Sequence, residues 1–380
     1  MPDSRSADNG LLDRRIPSRS THNEETLVTT VQRAAISDVT PEEALSYRDQ
    51  LGEPHFTGKH LLEDNAFLIT GETDDHDVFA VSLTFNVDGE AWGGRPATLR
   101  QTNFMALPKS QRYKGIDDND YIGVRSDPVR PQPLEVIRDG DKVVWTEGDL
   151  VTTADVPYWT IKGEHAGVDF DVTMGGLCDA SRFLGAFSDL QTNGIAGIEQ
   201  PLWVEGSVSS GGHTYALQRG IGMHEKVIIG DQWVHGASAM RKSRHYWIWL
   251  LDEEFRVFSY IKEATGVTFG HTSIGNEHSH FGEGQIEVTE LDYWTDPRTG
   301  QSIPSKVSLT MKSDDSVVAV VIEAYGRFMY TYCQAKASIS YYGLACRANG
   351  TIATPEGVIP ITDVRTYVES GIYPTPLPVN

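Results

Sequence analysis

The chain has 380 residues, too many for one small domain and enough for two, with 39% hydrophobic and 22% charged residues, an ordinary globular balance. Its net charge of −21 repels nucleic acid and anionic membrane surfaces, which argues against both as partners. Three sparse cysteines, Cys178, Cys333 and Cys346, form neither a CxxC pair nor a disulfide framework.

The first thirty residues lack the continuous apolar run of a signal peptide, and no stretch approaches a membrane span. The expected location is therefore the cytoplasm. Residues 1–54 read as a polar arm with one short helix. Thr40-Pro41-Glu42-Glu43 supplies an N-cap, a proline at the first helical position and acids in the first turn. The helix stops near Gly52-Glu53-Pro54.

From Ala66 the pattern turns to period two, the mark of half-buried strands. Val78–Val87 and Thr98–Phe104 are strands. Leu134–Ile137 and Val143–Trp145 flank the turn Asp139-Gly140-Asp141 as a hairpin. Tyr158–Gly163 and Val168–Met174 form another pair. Short strands with turn signals every 8–12 residues predict an all-β sandwich or barrel. No GxGxxG or P-loop is present, which argues against a nucleotide fold.

A faint internal repeat sharpens this. Gly206 and Gly212, between Trp203–Val208 and His213–Leu217, match Gly350 and Gly357, between Arg347–Ile352 and Val358–Ile361. The spacing is about 144 residues. Pro157 and Pro304 repeat at nearly the same spacing. Duplicated halves are expected, at 55–205 and 206–380.

The segment Gly220-Ile221-Gly222-Met223-His224-Glu225, followed by the aromatic strand His245-Tyr246-Trp247-Ile248-Trp249-Leu250, resembles the AttH-like and carotenoid 1,2-hydratase superfamily. That resemblance implies two consecutive lipocalin-like (calycin) antiparallel β-barrels. It also implies cofactor-free hydratase, cyclase or Diels–Alder-type chemistry on isoprenoids or polyketides. The chain departs from the pattern at two places. Lys226, Val227 and Ile228 stand where relatives carry a His and a Trp, and Tyr260-Ile261-Lys262 replaces a Tyr-x-Asp.

Glu225 matches the family acid and is the preferred proton donor, with His224 beside it and Tyr260 as a further catalytic candidate. Neighbours on a strand face opposite ways, so only one of His224 and Glu225 would point inward unless a bulge intervenes. Trp247, Trp249 and His245 share one strand face and would wall an apolar cavity, where aromatic faces shelter a developing cation. Trp203, Trp233 and Trp159 are weaker members of that wall, and core packing is the competing role for all of them.

His278 and His280 alternate as in H-x-H metal sites, with His271 or Glu277 as a third ligand. The Gly-rich, polar run around them reads equally as a loop tip, and neither metal nor cofactor is expected.

The expected function is a cofactor-independent hydratase or dehydratase acting on an alkene or tertiary alcohol of an isoprenoid-like molecule. An isomerase or cyclase on the same substrates is the alternative. A non-catalytic carrier of a hydrophobic ligand, a metal-dependent oxygenase or hydrolase resting on the histidines, and homo-oligomerisation stay open.

Overall fold

The computed structural model describes residues 60–89, 97–116, 122–125, 135–140, 142–183, 195–229, 244–262, 267–297, 300–334 and 337–375. The helix expected within 40–52 and the indole of Trp233 lie outside them. Among the described residues no helix is long and apolar enough to cross a membrane.

Thirteen strands build a first antiparallel sheet: β1 (His60–Glu72), β2 (His76–Gly89), β3 (Ala97–Pro108), β4 (Ile122–Arg125), β5 (Glu135–Asp139), β6 (Lys142–Glu147), β7 (Leu150–Asp155), β8 (Tyr158–His165), β9 (Val168–Gly176), β10 (Ser181–Phe183), β11 (Ile195–Ser210), β12 (His213–Ala216) and β13 (Gln218–Ile229). Nine strands build a second: β14 (Arg244–Leu251), β15 (Phe255–Lys262), β16 (Val267–Ile274), β17 (Glu277–Phe281), β18 (Ile286–Thr295), β19 (Ser302–Lys312), β20 (Val317–Gln334), β21 (Ala337–Thr354) and β22 (Gly357–Thr375).

The first sheet runs β4-β3-β2-β1-β13-β11-β9-β8-β7-β6-β5, the second β17-β16-β15-β14-β22-β21-β20-β19-β18. Counting outward from the β1–β13 and β14–β22 pairs, the orders coincide strand for strand until the second sheet ends at β18. The halves are therefore duplicates, two consecutive lipocalin-like antiparallel barrels.

The repeat places the border later than the sequence suggests. Gly206 lies in β11 and Gly350 in β21, the equivalent strand of each half. Each sits at positive φ, where a Cβ would come within 2.0 Å of the Asp171 carbonyl oxygen or 2.1 Å of that of Ala319. Only glycine tolerates that approach. The paired glycines mark an interior strand rather than a boundary. Residues 206–229 complete the first sheet, and the chain crosses to the second between Ile229 and Arg244.

Alternation sets which face is buried. In β9, Val168, Phe170, Val172 and Met174 point inward while Asp169, Asp171 and Thr173 face solvent. The inward faces of the first sheet make one core, including Phe67, Trp145, Trp159 and Phe170. Those of the second make another, including Ile248, Phe255, Leu309 and Tyr342. Full burial of each large side chain contributes about 1.5–3 kcal/mol.

A third cluster joins the two sheets. It takes Leu68, Phe79, Met105, Leu107 and Met223 from the first, and Trp249, Phe258, Tyr260, Phe328 and Tyr367 from the second. The outer faces of the two halves thus form a buried seam. Polar contacts fasten one end of it. The Asp77 carboxylate accepts from Arg112 Nε at 2.6 Å and from the Tyr325 hydroxyl, across the seam, at 3.0 Å. Burial beside that carboxylate pushes the Tyr325 phenol well above its usual range.

Candidate active site

The seam-facing residues follow from strand parity. On β13, Ile221, Met223 and Val227 belong to the seam cluster and Ile228 to the first core. Glu225 therefore faces the seam, whereas His224 and Lys226 face the first lumen. No bulge brings the imidazole and the acid together, as the ladder runs in unbroken register through Phe67–His224 and Ala66–Glu225.

Five expected site residues meet at the seam. On β14, His245, Trp247 and Trp249 share the seam face, opposite Lys262, Tyr260 and Phe258 of β15. The rings of Trp247 and Tyr260 lie 5.0 Å apart, those of Trp249 and Phe258 4.7 Å apart and stacked, and those of His245 and Tyr260 5.6 Å apart. Glu225, on the first sheet, faces the same layer and is buried.

β22 adds two groups that the sequence reading did not single out. Tyr367 pairs with Trp249, and Glu369 pairs with Trp247. The His245 Nε2 lies 3.5 Å from a Glu369 carboxylate oxygen. Burial, reinforced by the negative charges of Glu369 and Glu225, pushes the Tyr367 phenol well above its usual range. Its hydroxyl thus feels carboxylates from both halves.

Two glycines make room there. A Cβ on Gly343 would stand 2.2 Å from the Phe328 ring and 2.7 Å from the Tyr367 hydroxyl. One on Gly371 would stand 2.6 Å from His245 Nδ1. A third missed group is Glu199 of β11, a fully buried carboxyl directly opposite Glu225 in the ladder. Two acidic side chains on one buried face are costly in a mere core, and that is the signal by which they stand out.

His224, Trp203 and Trp159 sit elsewhere, while the His271 ring reaches the seam, 5.8 Å from that of Trp249 and 5.4 Å from that of Phe258. His224 is stacked on Phe67 at 4.7 Å and lies 5.0 Å from Trp159, inside the first barrel. Burial, helped by the charge of Lys226, lowers its pKa to about 3. His224 lies on the opposite face of β13 from Glu225, the other proton donor expected from the sequence. Trp203 is half-buried on the outer face of β11, packed over Gly175 and 6.4 Å from Tyr158. The ring of Trp159 is fully buried in the first core.

The three histidines lie on strands, not on a loop tip. His271 pairs with His280 across β16 and β17, and ring centroids among His271, His278 and His280 are 6.0–6.3 Å apart. Burial is the main cause that lowers the His271 and His278 pKa values. The Ser273 hydroxyl holds His278 Nδ1 at 3.0 Å. Among the described residues no three His, Cys, Asp or Glu side chains are placed to hold an ion.

A cleft of about 420 Å³ opens between the halves, lined by Glu72, Arg112, Arg219 and Ile221 on one side and by Leu251, Phe255 and Arg365 on the other. Ile221 and Leu251 also belong to the seam cluster, so the cleft reaches its end. Glu225 lies four residues beyond Ile221 on β13, roughly 13 Å along the strand.

The chain matches no protein-family model and no curated protein. Among solved structures it is similar to CghA determined with Sch210972, with a TM-score of 0.53 and 9% identity over 84% of this chain and 89% of that one. It also aligns with AttH from Nitrosomonas europaea (TM-score 0.48, 10% identity, 89% and 99% covered) and kievitone hydratase from Nectria haematococca (0.46, 12%, 90% and 97%). All three are members of the AttH-like lipocalin-type family that the sequence resembles. At these identities the likeness to CghA establishes the fold: this is a tandem lipocalin-type β-barrel protein.

Proposed function

We propose that the seam is the active site of a cofactor-independent hydro-lyase acting on an alkene or a tertiary alcohol of an apolar, isoprenoid-like substrate, in which Glu225 is the acid that protonates the alcohol oxygen. The observation that carries this reading is the meeting, on one buried face, of the Glu225 carboxyl with Trp247, Trp249, Phe258 and Tyr260. A buried carboxyl on that face, with Glu199 opposite it in the ladder, is placed to give a proton to substrate. The aromatic faces shelter the resulting cation, each by about 1–2 kcal/mol when desolvated. Exclusion of bulk water delays its capture. CghA was crystallised with Sch210972, which supports a fold able to take a small organic molecule.

Incubation with terpene alkenes and alcohols in oxygen-18 water, read by mass spectrometry, tests the reading. Label in an alcohol product is expected from the active protein. Glu225→Gln, still folded, is expected to lower turnover at least about 100-fold, the scale of a lost general acid. Undiminished turnover in that variant removes Glu225 from the role. Rearranged or cyclised product without label selects the isomerase or cyclase alternative. A carrier is favoured by the departures at Lys226–Ile228 and Lys262, and stoichiometric bound ligand without product selects it.

A further inference from the structure

We propose that Glu369 is the proton acceptor that works opposite Glu225, supplied by the second half from the position equivalent to Glu225. This rests on the seam being the active site, and it specifies how a proton that enters substrate at one carboxyl is balanced at another.

The equivalence is read from backbone marks. Gly206 matches Gly350, and the two non-glycine residues Arg219 (φ 45°) and Asp363 (φ 50°) adopt the left-handed conformation at the same spacing. Non-glycine residues there are uncommon, so a matched pair is a strong register mark. The same spacing carries Glu225 to Glu369. Both side chains lie on the seam face, on the strands that close each half against its first strand, β13 on β1 and β22 on β14. Duplication followed by packing of the two outer faces brings one acid from each half to a common layer. Tyr367, one residue pair along from Glu369 on the same face, is close enough to both carboxylates to respond to their charge.

Their surroundings differ in the direction the roles require. Glu225 has Glu199 as its ladder neighbour, a second buried carboxyl on the same face. Glu369 has the His245 imidazole at 3.5 Å, a group that suits the anion, and Gly343 opposite it in the ladder, over which the Phe328 ring and the Tyr367 hydroxyl pack.

In dehydration, Glu225 gives its proton to the substrate hydroxyl, the C–O bond breaks and water leaves. The Glu369 carboxylate then takes a proton from the adjacent carbon, and that C–H electron pair becomes the alkene. The products are alkene and water, with Glu225 ionised and Glu369 protonated. A proton passed from Glu369 to Glu225 through the released water restores both. Hydration is the reverse, with Glu369 as the acid toward the alkene carbon and Glu225 as the base toward water. Glu225 and Glu369 touch the reacting atoms, and Tyr367 lies between their charges.

Two readouts on the full chain test the pairing. Infrared difference spectra across pH follow the carboxyl groups without any substrate, with Glu225→Gln and Glu369→Gln identifying the two bands. Each substitution is expected to move the midpoint of the remaining carboxyl by half a pH unit or more; unmoved midpoints overturn the pairing whatever turnover is found. For dehydration of the alcohol found in the terpene panel, Glu369→Gln is expected to lose the acid limb of the pH–rate profile and Glu225→Gln the alkaline limb. Each variant is expected to fall at least about 100-fold in rate. Glu369→Asp, which retains the carboxylate, is expected to restore the acid limb. An intact acid limb in Glu369→Gln overturns the role of Glu369 and leaves that of Glu225 standing.

Discussion

The two lumens share a strand order but not a chemistry. Inside the first, Arg100 and Glu147 form a buried ion pair at 2.9 Å, with Thr84 donating to the same carboxylate at 2.6 Å. Lys226 and His224 face the same interior. Inside the second, the core is made of aliphatic and aromatic groups, and the Tyr342 hydroxyl at its edge donates to the buried Asp296 carboxylate at 3.2 Å and lies 3.1 Å from the Gln301 side-chain oxygen. Duplication conserved the ladder, which depends on backbone and alternation alone, and let the enclosed side chains diverge. The seam is shared between the halves, and the second core also takes in Ile116 from the first, whose carbonyl oxygen accepts from Arg327 at 3.0 Å.

The comparison is broken most sharply at the ion pair. Glu147→Gln leaves the Arg100 guanidinium buried without its counter-charge and is expected to cost about 3–5 kcal/mol in denaturant unfolding. Arg100→Met with Glu147→Leu is expected to recover most of it. In the second lumen, Ile352→Val is expected to cost only about 0.5–1.5 kcal/mol. Equal costs for Glu147→Gln and Ile352→Val would mean that the first lumen admits enough water to screen the charge.

The pH response should also separate the lumens. His224 titrates at about 3 in the folded protein against roughly 6.5 when unfolded. Above pH 6.5 neither state binds the proton. As pH falls from 6.5 toward 3, only the unfolded chain takes it up, so the folded state loses ground by up to about 1.4 kcal/mol per pH unit. Urea midpoints measured through that window should fall less steeply in His224→Gln. Parallel slopes would take the imidazole out of the account.

At the seam, Tyr325→Phe removes the hydroxyl that reaches Asp77 and leaves Arg112 on that carboxylate. A loss of about 1 kcal/mol is expected. Thermal unfolding monitored separately through each half would show whether this loosens the halves together or only one of them.

Much of the fold was legible in period-two patterning. Val78–Val87 became part of β2, Thr98–Phe104 part of β3, and the Asp139-Gly140 hairpin joins β5 to β6. Alternation also anticipated that His224 and Glu225 face apart and that His245, Trp247 and Trp249 share a face. Which of those faces meets which could not be read, because the packing of one sheet's outer face on another leaves no periodicity different from that of a solvent-exposed or core-facing strand. Trp159 and Trp203 illustrate it: both are aromatic strand residues, yet one is core and the other half-buried on the outer wall. Glu369 was within reach, since the spacing that links Gly206 to Gly350 also links it to Glu225. Glu199 was not, because nothing in its local sequence distinguishes a buried glutamate from a surface one.

In each half the first strand is hydrogen-bonded to the last: Leu62 faces Ile229, and Arg244 faces Ile372. The start and finish of either half therefore lie side by side, a strand spacing of roughly 5 Å apart. Such a half can be cut at a surface hairpin and rejoined across its ends with every ladder partner retained. The same closeness of ends lets one barrel be exchanged for a relative's as a cassette, provided the seam face and the seat of Ile116 in the second core are matched.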